Sequence, residues 1–135
     1  MKSVRIWMIA VGIFYLLNLV LLWPSLWAGQ LPGMYPGVAL FDGEPVFQLL
    51  LDAWLIVGLQ LAALGAALLW GAVQDPMRYA VGLIPAVIFV ELVDMAWDIY
   101  SAMGYEKVPL AITTVVIHLI IIGSAVWVKR KLPAA

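Results

Sequence analysis

An all-α integral membrane four-helix bundle, with both termini on the cytoplasmic side (N-in/C-in), is the fold class this sequence predicts. Three observations predict it. The 135 residues are 66% hydrophobic and only 11% charged, with a mean hydropathy of +1.08, whereas a soluble domain carries about a quarter charged residues. Four apolar stretches each reach the roughly 20 residues that a bilayer crossing requires. The basic residues are sorted to one side of those stretches, which sets orientation.

The first stretch runs from about Arg5 to Trp27 (5–27). Lys2 and Arg5 give it the basic start of a leader, but it lacks a small-x-small cleavage site, and Trp23, Pro24 and Trp27 crowd the region where one would lie. It is expected to be a retained anchor. The segments Gly29-Gln-Leu-Pro-Gly33 and Asp42-Gly43-Glu44-Pro45 read as turns and lead to a second stretch, Val46 to Val73 (46–73). Asp75-Pro76 punctuates the passage to the third, Met77 to Tyr100 (77–100), and Gly104 through Pro109 the passage to the fourth, Val108 to Val128 (108–128). The whole chain, 1–135, is expected to be a single transmembrane domain without a soluble module.

Lys2, Arg5, Arg78, Lys129, Arg130 and Lys131 fall on one side of these spans and Lys107 on the other, so the positive-inside rule puts both termini in the cytoplasm and the long first loop outside. Trp7, Trp70 and Trp127 fall at the inner boundary and Trp23, Trp27 and Trp97 toward the outer one, as aromatic belts would. With 7 basic and 8 acidic residues the net charge is −1, which gives no footprint for nucleic acid. The absence of cysteine removes disulfides, thiolate metal sites and thiol redox chemistry.

The informative residues are polar groups inside the spans, because a charge in hydrocarbon costs at least about 2.5–3.5 kcal/mol. Asn18, Gln60, Glu91 and His118 fall near the midplane, one per span. Toward the outside lie Gln48 and Asp52 on the second span and Asp94 and Asp98 on the third. Glu91, Asp94 and Asp98 are spaced i, i+3, i+7, which puts three carboxylates on one helical stripe. Three close carboxylates in a low-dielectric site cannot all stay ionised, so at least one should hold a proton. Pro85 removes one backbone donor from the same helix and is expected to kink it. Asn18 and Gln60 are expected to act as inter-helix hydrogen-bond glue, and Gly58, Ala62 and Ala66 to form a close-packing face.

These residues suit acid–base work on an apolar molecule, since a neutral carboxylic acid beside an ionised one gives a pocket both donor and acceptor. Glu91 is the expected proton-sharing acid, His118 its partner, and both are the candidate catalytic residues. Asp52, Asp94, Asp98 and Tyr100 are the candidate ligand-binding residues, with Asp94 and Asp98 as an electrostatic rim. No metal site is expected, because the Glu-x-x-His pattern of di-iron bundles is missing, and no cofactor motif is visible. Below the stripe, from Ala62 to Leu69 and from Leu119 to Val128, only Ser124 is polar. A cup opening outward and closed toward the cytoplasm therefore fits better than a pore. The first loop, with Tyr35, Phe41, Asp42 and Glu44, reads equally as a lid or as a surface turn.

A resemblance runs along nearly the full chain. Trp7-Met8 through Gly12 and Phe14-Tyr15, Asp52-x-Trp54 with Gly58 and Gly65-Ala66, and Asp75-Pro76-x-Arg78 all resemble the BphX-like family of small bacterial four-span membrane proteins. Glu91-Leu92, Asp94, Asp98-x-Tyr100, Gly104-Tyr105 and Ile117-His118 extend the likeness. It implies four transmembrane helices in a bacterial inner membrane and points toward hydrophobic small molecules, without assigning a reaction or transferring any catalytic residue. The expected partners are the lipid bilayer and a small hydrophobic or cationic ligand bound in the outward cup, with isomerase-type proton movement as the class of any chemistry there. The alternative is an accessory subunit packed against a larger membrane complex; self-association into a homo-oligomer suits the first reading.

Overall fold

The computed structural model describes residues 2–132. Among them are five α-helices: α1 (Lys2–Leu21), α2 (Pro24–Met34), α3 (Pro45–Gln74), α4 (Pro76–Ala102) and α5 (Val108–Lys129), with a short 3-10 helix over Pro36–Phe41 after α2. Four of these, all but α2, are long and apolar enough to cross a bilayer. The chain is therefore an all-α, multi-pass membrane bundle, and no strand occurs among the described residues.

Proline sets where the helices start. Pro24, Pro45, Pro76 and Pro109 occupy the first or second position of α2, α3, α4 and α5, where the missing N–H is one the helix could not satisfy anyway. At α4 the start is also capped: the Asp75 carboxylate accepts the backbone N–H groups of Met77 and Arg78, both at 3.2 Å. The same logic splits the first apolar stretch. Trp23, preceding Pro24, takes an extended conformation with φ −63° and ψ 132°, because the proline ring excludes the helical region for the residue before it. The first long helix thus ends at Leu21 and not at Trp27, and residues read as a turn form α2 instead. Helix α4, in contrast, is continuous through Pro85.

Helices α1 and α3 pack along most of their length, as do α4 and α5, while α3 and α4 touch far less extensively. The α1–α3 approach is set by glycine. A Cβ on Gly12 would lie 2.9 Å from the Gly65 carbonyl oxygen, and a Cβ on Gly65 would lie 2.7 Å from that of Gly12. The two backbones meet where neither residue has a side chain, the small-residue packing expected between membrane helices. The packing face of α3 runs through Gly58, Ala62 and Gly65; Ala66 points away from it.

In the half of the bundle that carries the termini, Val4, Met8, Leu68, Ile84, Ala125 and Val128 form a closed apolar core. Trp7 belongs to that core and not to an aromatic belt: it is buried, and its indole N–H donates to Ser124 Oγ at 2.9 Å, tying α1 to α5. Trp23, Trp70 and Trp127 do face outward. A smaller cluster of Leu31, Tyr35, Phe47 and Leu51 holds α2 against α3 at the opposite end.

Candidate functional site

Glu91 sits on α4 with only 1% of its surface exposed, and both its oxygens are engaged. The Tyr15 hydroxyl of α1 donates to Oε1, and His118 Nδ1 of α5 lies 2.6 Å from Oε2. The other ring nitrogen of His118, Nε2, lies 3.1 Å from Asp98 Oδ2, two turns along α4 from Glu91. Tyr15, Glu91, His118 and Asp98 thus form one hydrogen-bonded chain across three helices.

Donor counting constrains its charge. A carboxylate only accepts, and a neutral imidazole has one N–H. With Glu91 and Asp98 both ionised, His118 must carry hydrogen on both nitrogens. If the ring is neutral, one carboxyl must carry that hydrogen instead. Either way the trio shares one proton more than a neutral histidine flanked by two carboxylates would hold. Because both ring nitrogens face carboxylates, neither presents a free lone pair to a metal.

This chain forms one wall of a cavity of about 460 Å³, within the 300–1,000 Å³ typical of small-molecule sites. The cavity occupies the half of the bundle remote from the termini. Phe14, Trp27, Tyr35, Trp54 and Trp97 provide aromatic walls, and Leu22, Leu50, Val57, Leu61 and Ile117 aliphatic ones. Trp27 packs on Trp54 with ring centroids 5.4 Å apart, and the buried Trp27 Nε1 has no hydrogen-bond partner among the described residues. Helix α2 supplies Trp27 and Met34 and so covers part of the opening. It is pinned there by the Lys107 backbone N–H, which donates to the Met34 carbonyl at 2.9 Å.

Glu91, Asp94, Asp98 and His118 of the sequence-derived set all line this cavity. Asp94 differs from its neighbours, since its carboxylate bonds to no side chain among the described residues. Glu91, expected to be the proton-sharing acid, has no free oxygen; Asp94 is the carboxylate with capacity to spare. Two expected site residues lie elsewhere. Asp52 is on the outward surface of α3, where it accepts from Gln48 Nε2 at 2.8 Å. Tyr100 is exposed and packs edge-on against Tyr105, with centroids 6.0 Å apart. Asn18 lines the cavity but donates to its own helix at the Phe14 carbonyl, 3.0 Å away, so it does not act as glue between helices. Gln60 is exposed on α3 and turns away from the cluster.

Sequence reasoning missed Tyr15 and the aromatic walls. A signal for Tyr15 existed: it lies deep within its span, away from the boundary positions where tyrosine normally anchors. It also missed a second polar cluster at the turn between α4 and α5. Ser101 Oγ donates to the Glu106 carboxyl and lies 3.0 Å from the Asp98 carbonyl. Its one hydrogen can serve only one of them at a time. Burial, against the lowering effect of the Ser101 hydrogen bond, pushes the Glu106 carboxyl above its usual range. Nearby, burial first and the Glu106 charge second push the Tyr35 hydroxyl up to about 12.

Fold and site together define a small multi-pass α-helical membrane protein with a half-bundle cavity walled by a buried tyrosine–carboxylate–imidazole chain. The BphX-like family model matches residues 1–134, and the chain belongs to that family. It is similar to uncharacterized BphX-like proteins of Burkholderia cepacia and Paraburkholderia xenovorans (strain LB400). Each is 47% identical over 133 residues, covering 98% of this chain and 94% of the relative. No solved structure matches.

Proposed function

We propose that this protein binds a small hydrophobic or cationic molecule in the cavity and can move a proton on it. The observation that supports this reading is the meeting of an apolar, aromatic-walled space with one unpartnered carboxylate and a proton-sharing chain. Asp94 takes the ligand's donor group. Glu91 and Asp98 orient His118 and share its proton along the cavity wall. In an isomerisation, the Asp94 carboxylate removes a proton from one carbon, the bond electrons shift, the Glu91–His118–Asp98 chain delivers its shared proton at another, and Asp94 then passes the proton it took back to that chain. No oxidant, reductant or co-reactant is needed.

The basic-residue asymmetry supports an inner-membrane placement with both termini cytoplasmic. In that orientation the cavity opens on the outer half and the Trp7–Ser124 half seals the cytoplasmic side.

The test is thermal stability in lipid nanodiscs against a panel of hydrophobic amines and the alcohols of matching skeleton. A ligand present at 100 times its Kd stabilises by about 2.7 kcal/mol. Stabilisation of the wild type that disappears in both Glu91→Gln and Asp98→Asn is the expected result. If no compound shifts the wild type, or both variants respond as the wild type does, the reading fails.

A further inference from the structure

Beside the cavity lies a second cleft of about 360 Å³ between α3 and α4, lined by Gln60 and Leu64 on one side and Ala86, Phe89, Val90 and Val93 on the other. Val57, Leu61 and Asp94 line both volumes, so these three side chains form the partition between them. The cleft faces the membrane, not the aqueous ends. Phe89 and Val93 are exposed on the bundle surface, and Gln60 stands midway along the 30-residue α3. Its carboxamide makes no hydrogen bond among the described residues, although an unpaired polar group at that depth is costly. The α3–α4 contact is also looser than the α1–α3 and α4–α5 contacts.

From these observations we infer that the ligand is a bilayer-dissolved amphiphile with a protonated amine, entering sideways between α3 and α4 past Gln60 to reach Asp94. This rests on the cavity reading above and narrows it. Three carboxylates and a single histidine line the cavity, and neither volume is lined by lysine or arginine. With one shared proton among Glu91, His118 and Asp98, that trio carries a net negative charge, and Asp94 beside it adds no positive one. A cationic head restores the balance, and the aromatic walls suit an organic cation through their ring faces. Gln60 provides a polar resting point on the way, and the apolar tail remains in the cleft between Phe89 and Leu64. Val57 and Leu61 are the gate, small enough to clear the path by rotamer changes.

The experiment uses dodecylamine bearing a tail diazirine, with the matching dodecanol as control, photolysed at set times after addition to nanodiscs. The chain has no cysteine, so Gln60→Cys can be labelled with a pyrene methanethiosulfonate that a membrane-permeant reductant later removes. Ile120→Cys, on the exposed surface of α5, carries the same label as a control. The expected result is amine incorporation into cavity peptides that is lost with the Gln60 label, restored by its removal and unchanged by the Ile120 label. Asp94→Asn should weaken amine uptake about tenfold or more, the loss of a hydrogen bond to a charged group. Dodecanol incorporating as well as the amine overturns the cationic assignment. A Gln60 label that dissociates an oligomer overturns the portal, making the cleft a contact with a second copy. Uptake that ignores the Gln60 label but vanishes in Glu91→Gln overturns the portal and leaves the cavity reading standing; no uptake by the wild type overturns both.

Discussion

Replacing Tyr15 by Phe removes a single oxygen, and the structure says what that oxygen does. Tyr15 and Glu91 are each only 1% exposed, and the hydroxyl donates to Glu91 from across the bundle. Hydrogen bonds to charged groups contribute about 1.5–3 kcal/mol in soluble proteins. Side-chain hydrogen bonds between membrane helices average about 0.6 and reach about 1.7 kcal/mol, because the separated helices find other partners in the membrane. The Tyr15–Glu91 bond belongs at the top of the second range: its acceptor is the hub of the chain, and both partners are almost wholly buried. Tyr15→Phe should therefore cost about 1–1.7 kcal/mol. In a Glu91→Gln background the acceptor is neutral and the bond about half as strong, so the same substitution should cost about half as much. Unfolding titrations with dodecyl sulfate in mixed micelles, followed by tryptophan fluorescence, measure all four corners of the cycle. Equal costs in the two backgrounds, or a wild-type cost under about 0.3 kcal/mol, would show that the hydroxyl is a bystander and refute the chain as drawn.

Other expectations concern the frame around the site. Gly65→Ala places a methyl 2.7 Å from the Gly12 carbonyl oxygen and should cost about 1–3 kcal/mol by overpacking, whereas Gly82→Ala, with nothing within 4 Å of its added Cβ, should stay within about 0.5 kcal/mol of wild type; comparing their melting temperatures decides it. Trp7→Phe and Ser124→Ala break the same bond, so the double variant should lose less stability than the two single losses summed, and strict additivity would place the bond outside the fold's energetics. Glu106 supplies the pH dependence at the turn between α4 and α5. Its folded-state pKa is raised, so its contribution is complete at pH below the unfolded carboxyl value and is lost as pH rises through the folded value. Glu106→Gln should therefore match the wild type's melting temperature near pH 4 and exceed it increasingly toward neutrality; a constant gap across that range contradicts the assignment.

The spans were legible because the bilayer demands long apolar runs, and proline marked where most of them begin. Helix α2 was not legible, because Gly29, Pro32 and Gly33 carry turn chemistry and no hydrophobic period distinguished that segment from a loop. Within the site, Glu91, Asp98 and His118 were readable from spacing and depth. Asp52 and Tyr100 were not, for a reason particular to membranes. Depth along a span follows from counting, but the direction a residue faces around the helix does not, since lipid and bundle interior are both apolar and the amphipathic stripe of a soluble helix is missing. Asp52 has a suitable depth and faces outward. Tyr15 was overlooked for another reason: its depth within the first span set it apart from an interfacial anchor, but its role shows only in the tertiary pairing with Glu91.

The central claim is that a shared proton holds His118 between Glu91 and Asp98 on the wall of a ligand cavity. His118 is the chain's only histidine, so ¹⁵N-histidine labelling and magic-angle-spinning NMR in lipid bilayers report on it alone. At neutral pH the spectrum should show strong hydrogen bonding at both ring nitrogens, each either carrying a hydrogen or accepting one from its carboxyl. Glu91→Gln should alter the Nδ1 signal, and a hydrophobic amine should shift the ring signals. A single neutral tautomer with one bare nitrogen, indifferent to Glu91→Gln and to every amine tested, would contradict the account.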